Sequence, residues 1–191
     1  EDKNNIIFNI TFDKDKLHNL FYTRGISYSQ IVNKELFLLP ILKKNNQIYI
    51  YRQNFFYKNW NEINEKEAID FILPQENIEI IQNVNINKNN LLDIELNNLF
   101  KEYTKKNLAL VLIEDTGSNE EKIYFKVKIF GKNIVKNVVI KKNNLNQDKF
   151  YEKIIIEIKK EIINIVKSQS LIDIRIPSFL NAQLDISKNV T

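Results

Sequence analysis

Between Asp148 and Ser168 apolar residues recur at helical spacing. Tyr151, Ile154, Ile155, Ile158, Ile162, Ile165 and Val166 share one face, and Lys153, Glu157, Lys159, Lys160, Glu161 and Lys167 take the other. A long helix with one apolar face needs a second layer to bury it against. The residues before it supply that layer. Leu108 to Ile113 is a fully apolar strand, and Ile123 to Phe130 alternates through Ile123, Phe125, Val127 and Ile129. Gly131-Lys132-Asn133 then turns the chain and Ile134 to Ile140 returns. The spacing predicts Ile155, Ile158 and Ile162 buried against strands 108–113 and 123–130, with Lys159 and Lys160 pointing away.

The first half reads strand, helix, two strands, helix, strand. Ile6, Phe8, Ile10 and Phe12 alternate as a strand. Asp13 is placed as an N-cap, Leu17, Leu20 and Phe21 have helical spacing, and Gly25 is a stop. Glu35 to Leu42 is a dense apolar run that Pro40 assigns to an edge or bulge. Lys43 to Gln47 reads as a turn and Ile48 to Tyr51 as its return strand. Residues 64–72 read as helix and then extended chain, ending at Pro74. Asp93 to Lys105 reads as a helix through Ile94, Leu96, Leu99, Phe100 and Tyr103. Leu171–Ile176 and Phe179–Ile186 are strand-like, parted by Pro177. Two tight hairpins exclude an all-parallel sheet. The expected fold is α+β, a mixed, largely antiparallel sheet with helices packed on it. The Asn-rich stretch Asn83 to Asn90 marks the expected boundary between an N-terminal α/β lobe, 1–83, and a C-terminal α/β lobe, 84–168. Residues 169–191 form a strand-like tail, read as the start of a further segment.

Composition narrows the function classes. With 43% hydrophobic and 27% charged residues the 191-residue chain is globular. Ile (32), Asn (29) and Lys (25) fill 86 positions, whereas Ala, Gly, Pro and Arg have 3 each, the mark of a very AT-rich genome. Asn runs such as Asn143-Asn144 are therefore read as partly mutational rather than as designed turns. The net charge is +4, yet Lys is interspersed with Asp and Glu, and the only guanidiniums are Arg24, Arg52 and Arg175. That pattern argues against a nucleic-acid partner. Without Cys there are no disulfides and no thiol chemistry. No apolar run approaches the length of a membrane-spanning helix. Met is absent even from position 1, which is read as a removed signal segment or a trimmed start, and hence as an exported protein.

Catalytic constellations are scarce. The single His, His18, has no second His or Cys for a metal site and reads as a surface residue. Gly25, Gly117 and Gly131 lie too far apart to cradle a phosphate, so no cofactor is expected. Glu114-Asp115 ends a strand and leads into Thr116-Gly117-Ser118. Neighbouring strand residues point to opposite faces, so the two carboxylates are expected to edge a solvated hairpin loop over 114–121 rather than act together on one bond. Asp115, Asn119 and Glu121 lack calcium-loop spacing. The cluster Asn54-Phe55-Phe56-Tyr57-Lys58-Asn59-Trp60 has two readings. Phe55, Phe56, Tyr57 and Trp60 either form an interaction surface or fold down to close a core.

Several short motifs resemble one family. They are Arg24-Gly25-Ile26-Ser27-Tyr28-Ser29, Phe37-Leu38-Leu39-Pro40-Ile41, Asn54 to Trp60, Leu73-Pro74, a helix with Tyr103 before the strand Leu108–Ile113, and Leu171-Ile172-Asp173 after the long helix. Together they resemble the bacterial domain of unknown function 2066, in its alphaproteobacterial form. Phe55 and Phe56 stand where that pattern has Pro and Trp, and Gln75-Glu76 where it has Gly-Asp. The order of elements in the second half also resembles the amino-terminal domain of TolB, an envelope protein. The resemblance implies a periplasm-facing cell-envelope protein with no established activity. The expectation is a non-catalytic module that binds an envelope protein partner. The alternative is a small-ligand-binding protein or hydrolase using Glu114 and Asp115.

Overall fold

A computed structural model of the chain describes residues 35–63 and 69–169, together with residues 13, 16, 20, 23, 24, 28, 29, 171 and 172. Two compact units result, residues 31–170, and residues 1–30 with 171–191. In the latter, β1 (Tyr28–Ser29) pairs antiparallel with β8 (Leu171–Ile172). Asp13 accepts a hydrogen bond from the Lys16 N–H at 3.2 Å, the contact of an N-cap. The strand expected over 6–12, His18, Gly25 and residues 173–191 lie outside the described residues.

Residues 31–170 are built on a mixed six-stranded sheet. The strands are β2 (Glu35–Lys44), β3 (Gln47–Tyr49), β4 (Asp70–Ile72), β5 (Asn107–Asp115), β6 (Glu120–Ile129) and β7 (Lys132–Lys141), in the order β3-β2-β5-β6-β7 with β4 also on β2. The sheet is α+β in character, as expected. β2 runs parallel to β5 from Leu36 opposite Asn107 to Lys44 opposite Asp115. The boundary expected at Asn83 to Asn90 therefore falls inside one unit, because strands from both sides of it share a ladder. That stretch instead holds the end of a helix and a turn.

Burial follows strand position. β2 and β5 are apolar on both faces, as strands covered on both sides must be. Leu36, Leu38, Ala109, Val111 and Ile113 enter one core, while Phe37, Leu39, Ile41, Leu108, Leu110 and Leu112 enter the other. The first core is closed by α1 (Phe55–Asn59) and α4 (Gln147–Gln169). The second is closed by α2 (Ile78–Ile86), α3 (Leu96–Leu99) and 3-10 turns at Leu91–Asp93 and Lys101–Tyr103. The single helix expected over 93–105 is thus broken. Leu91, Ile94, Leu96, Leu99 and Phe100 are all buried. At 100° per residue they would surround a straight helix, so only a bent path turns them all to the sheet.

Pro40 lies where its missing N–H does no harm. β4 pairs with β2 over Glu35–Phe37 and β3 over Leu42–Lys44, leaving Pro40 in the gap on that edge. Buried Asn54 fills the gap. Its Nδ2 donates to the Pro40 carbonyl at 2.8 Å, and its Oδ1 accepts from the Phe56 N–H at 2.9 Å, capping α1.

The Asn pairs correct the mutational reading. Asn45-Asn46 (φ 50° and 61°) and Asn143-Asn144 (φ 50° and 61°) occupy left-handed turn positions. Asn is the non-glycine residue that tolerates this conformation best. Helix α4 begins at an Asn as well, with Asn146 Oδ1 accepting from the Lys149 N–H at 2.9 Å.

Ile155, Ile158 and Ile162 are fully buried in the first core, and Lys160 is exposed. Lys159 departs from expectation, being only 6% exposed. It falls one turn after Ile155, at the border of a wide apolar stripe. Its stem crosses the Trp60 ring, with Nζ 5.3 Å from the ring centroid, and Nζ donates to the Ile63 carbonyl at 2.8 Å. Truncating Ile158→Ala is expected to cost about 2–5 kcal/mol, read as a lowered urea midpoint. An unchanged midpoint would show that this face is not packed.

Candidate functional site

The ladder of β2 and β5 ends in two ion pairs. Lys43 meets Glu114 at 3.0 Å on one face of the sheet, and Lys44 meets Asp115 at 2.7 Å on the other. Glu114 and Asp115 diverge, as neighbouring strand residues do. The open loop expected around both of them needs correction for Asp115, whose side chain is 2% exposed.

Residues not connected in the sequence analysis complete its surroundings. Tyr151, in the first turns of α4, donates its hydroxyl to Asp115 Oδ2. The Gly117 N–H donates to Asp115 Oδ1 at 2.9 Å, with Gly117 at φ 72°. Glu121 follows the last β5–β6 pair, Glu114 opposite Lys122, and so faces Asp115 on the same side of the sheet. It is equally buried, and its Oε2 accepts from the Thr116 N–H at 3.1 Å. A signal for Glu121 existed, since it holds the inward parity of Ile123, Phe125, Val127 and Ile129.

Two carboxylates facing each other across a strand pair cannot both ionise cheaply. Burial, and then the hydrogen bond with Asp115, push the Glu121 carboxyl up to about 7. Burial opposes ionisation of Asp115 too. The bonds from Lys44, Tyr151, Gly117 and Glu121 outweigh it and hold that carboxyl down at about 2. Burial and the same carboxylate raise Tyr151 to about 12, and the bond to Asp115 raises Lys44. The cluster is one anion with a ring of donors, and it ties the β5–β6 turn and α4 to the end of β2. An open groove of about 310 Å³ passes outside it, lined by Lys43, Asn45, Asn46, Glu114, Asp115 and Thr116.

The aromatic cluster is dispersed by α1. Phe56 and Trp60 are fully buried in the first core, while Phe55 and Tyr57 are half-buried. Phe55 and Phe56 pack on Tyr151, and the Tyr57 hydroxyl donates to the Pro74 carbonyl at 2.8 Å. Phe56 and Trp60 thus offer no surface to a partner.

A second feature is the far side of the sheet. β7 pairs with β6 along its length and with no other strand among the described residues. Its Ile134 and Val138 turn toward α4, and Lys136 pairs with Glu161. On the opposite face Val135 and Val139 are 64% and 51% exposed, with Phe130 at the hairpin tip 46% exposed. Lys122, Lys126 and Lys128 of β6 share this face. Lys126 Nζ donates to the Leu92 carbonyl at 2.8 Å and Lys128 Nζ to Asn97 Oδ1 at 2.8 Å, where the helical layer ends. Among the described residues no helix is long and apolar enough to cross a membrane.

No family model matches the sequence. No curated protein matches it either. Among solved structures, the chain is similar to the C-terminal domain of LpoB from Salmonella enterica, with a TM-score of 0.34 and 8% identity over 65% of this chain and 92% of that one. It is also similar to an uncharacterized protein, with a TM-score of 0.31 and 9% identity over 75% of this chain and 96% of that one.

The carboxylate pair gives a signed pH dependence. Folding raises the proton affinity of Glu121 above its ordinary value of 4.5, so its contribution is full below that value and is lost as pH rises toward 7. Asp115 is shifted the opposite way, so its contribution is present above the ordinary 3.8 and is lost as pH falls toward 2. Glu121→Gln keeps both hydrogen bonds and removes the upper titration. The variant is expected to match the parent in urea midpoint near pH 5 and to exceed it at pH 8, by on the order of 1–3 kcal/mol. A difference independent of pH would contradict the paired arrangement.

Proposed function

We propose that this chain is a non-catalytic protein-binding module of the bacterial cell envelope. One observation carries the binding role. The sheet ends in a strand ten residues long whose outer face exposes two valines and whose free edge has no partner among the described residues. Exposed apolar side chains beside unpaired strand backbone are a common ground for protein contacts. The carboxylates at the β5–β6 turn support the non-catalytic side. Glu114 and Asp115 diverge and each holds a lysine, so a hydrolase acting through both would have to break both ion pairs and turn one carboxylate to the other face of the sheet. The envelope location rests on the motif resemblance to domain of unknown function 2066.

The test is position-specific cross-linking in the bacterial host. A photoreactive residue at Val139 of the full-length protein is expected to give one discrete adduct with a second protein in the envelope fraction. The same residue at exposed Lys88 is expected to give none. Equal labelling at both positions, or an adduct confined to the cytoplasm, would contradict the proposal.

A further inference from the structure

We propose that the free edge of β7 accepts an extended acidic segment of another protein as an added strand. This rests on the protein-binding reading and goes further by naming the mode of binding and the chemistry of the partner.

Two features favour strand addition. Successive N–H and C=O groups of an edge strand point alternately toward and away from its neighbour, so a strand paired on one side keeps half of them for another chain. β7 pairs with β6 without interruption from Lys132 opposite Ile129 to Lys141 opposite Glu120. Its outer edge is therefore regular and long enough to template a strand. The second feature is side-chain footing. A chain laid beside β7 places alternate side chains over Val135 and Val139 on the uncovered face.

Charge selects the partner. Lys122, Lys126, Lys128 and Lys141 share the face of Val135 and Val139, and Lys132, at the start of β7, stands on the opposite face. None of the five has a carboxylate within ion-pair distance among the described residues. Lys126 and Lys128 instead donate to neutral oxygens of Leu92, Asn97 and Thr104. The acidic residues nearby are Glu114, across from Lys122 and paired with Lys43, Glu120, across from Lys141, and Glu95, which lines a groove of about 190 Å³ with Lys126, Lys128 and Asn133. The balance on this face is positive. A second copy would bring lysines against lysines, as edge lysines do to prevent self-association. A segment carrying Asp or Glu at alternate positions would meet them favourably.

The probe is a ten-residue peptide of alternating Val and Glu, titrated into the full chain and followed by fluorescence anisotropy and by amide exchange of β7. Binding is expected, with β7 amides gaining protection and affinity falling as salt is raised. Methylating alternate backbone nitrogens of the peptide should weaken binding at least tenfold. The Lys counterpart should not bind. Lys122→Gln, at an exposed position, should weaken the acidic peptide severalfold while leaving the urea midpoint in place. Equal binding of the methylated peptide would overturn strand addition, and equal binding of the Lys peptide would overturn the acidic preference. A dimer in sedimentation that Val139→Asp dissolves would assign the edge to a second copy and overturn the proposal. If cross-linking at Val139 yields an envelope partner while the methylated peptide binds unimpaired, protein binding stands and strand addition falls.

Discussion

The parallel pairing of β2 with β5 is the constraint on which the rest depends. Its partners are about seventy residues apart, from Leu36 with Asn107 to Lys44 with Asp115. Closing so long a loop costs entropy that only extensive burial offsets. Both strands bury both faces, so the pairing creates two cores at once and each needs its own cover. α4 and α1 supply one, and the bent run of short helices from Ile78 to Tyr103 supplies the other. Asn54 serves the same pairing from the side, filling the gap beside Pro40 that β3 and β4 leave open.

Two-sided burial fades across the sheet. β6 is buried on its α4 face and carries lysines on the other, and β7 keeps only a partial footing against α4. The second helical layer reaches as far as the lysine contacts to Leu92 and Asn97. The end of β5 and the free edge of β7 therefore differ. At the C-terminal end of β5 the polar groups are satisfied by one another around Asp115. At β7 they face outward, and binding is proposed there.

Much of this gradient was legible. The continuous apolar runs 36–42 and 108–113, the alternation through Ile123 to Ile129, and the stripe of α4 each state how many faces are covered. Pairing order was not legible, because local patterning does not say which strand lies beside which. A polar stretch at 83–90 therefore looked like a domain boundary. Lys159 was misplaced because a stripe read at fixed spacing gives no width. The Asp115 cluster was hidden because it joins a turn, a hairpin and a helix start from three separate parts of the sequence. The strand parity of Glu121 was its one local trace. Asn143-Asn144 carried turn information that a biased composition disguised.

The openness of β7 in the free chain is the claim on which the functional reading stands. Residue-resolved amide exchange by NMR on the full chain at neutral pH tests it most directly. Amides of β2 and β5 should be the slowest to exchange. In β7 protection should alternate, with amides bonded to β6 slow and those directed outward exchanging nearly as fast as in unstructured peptide. Uniform protection along β7, matching that of β5, would mean that the edge is already occupied and would contradict the account.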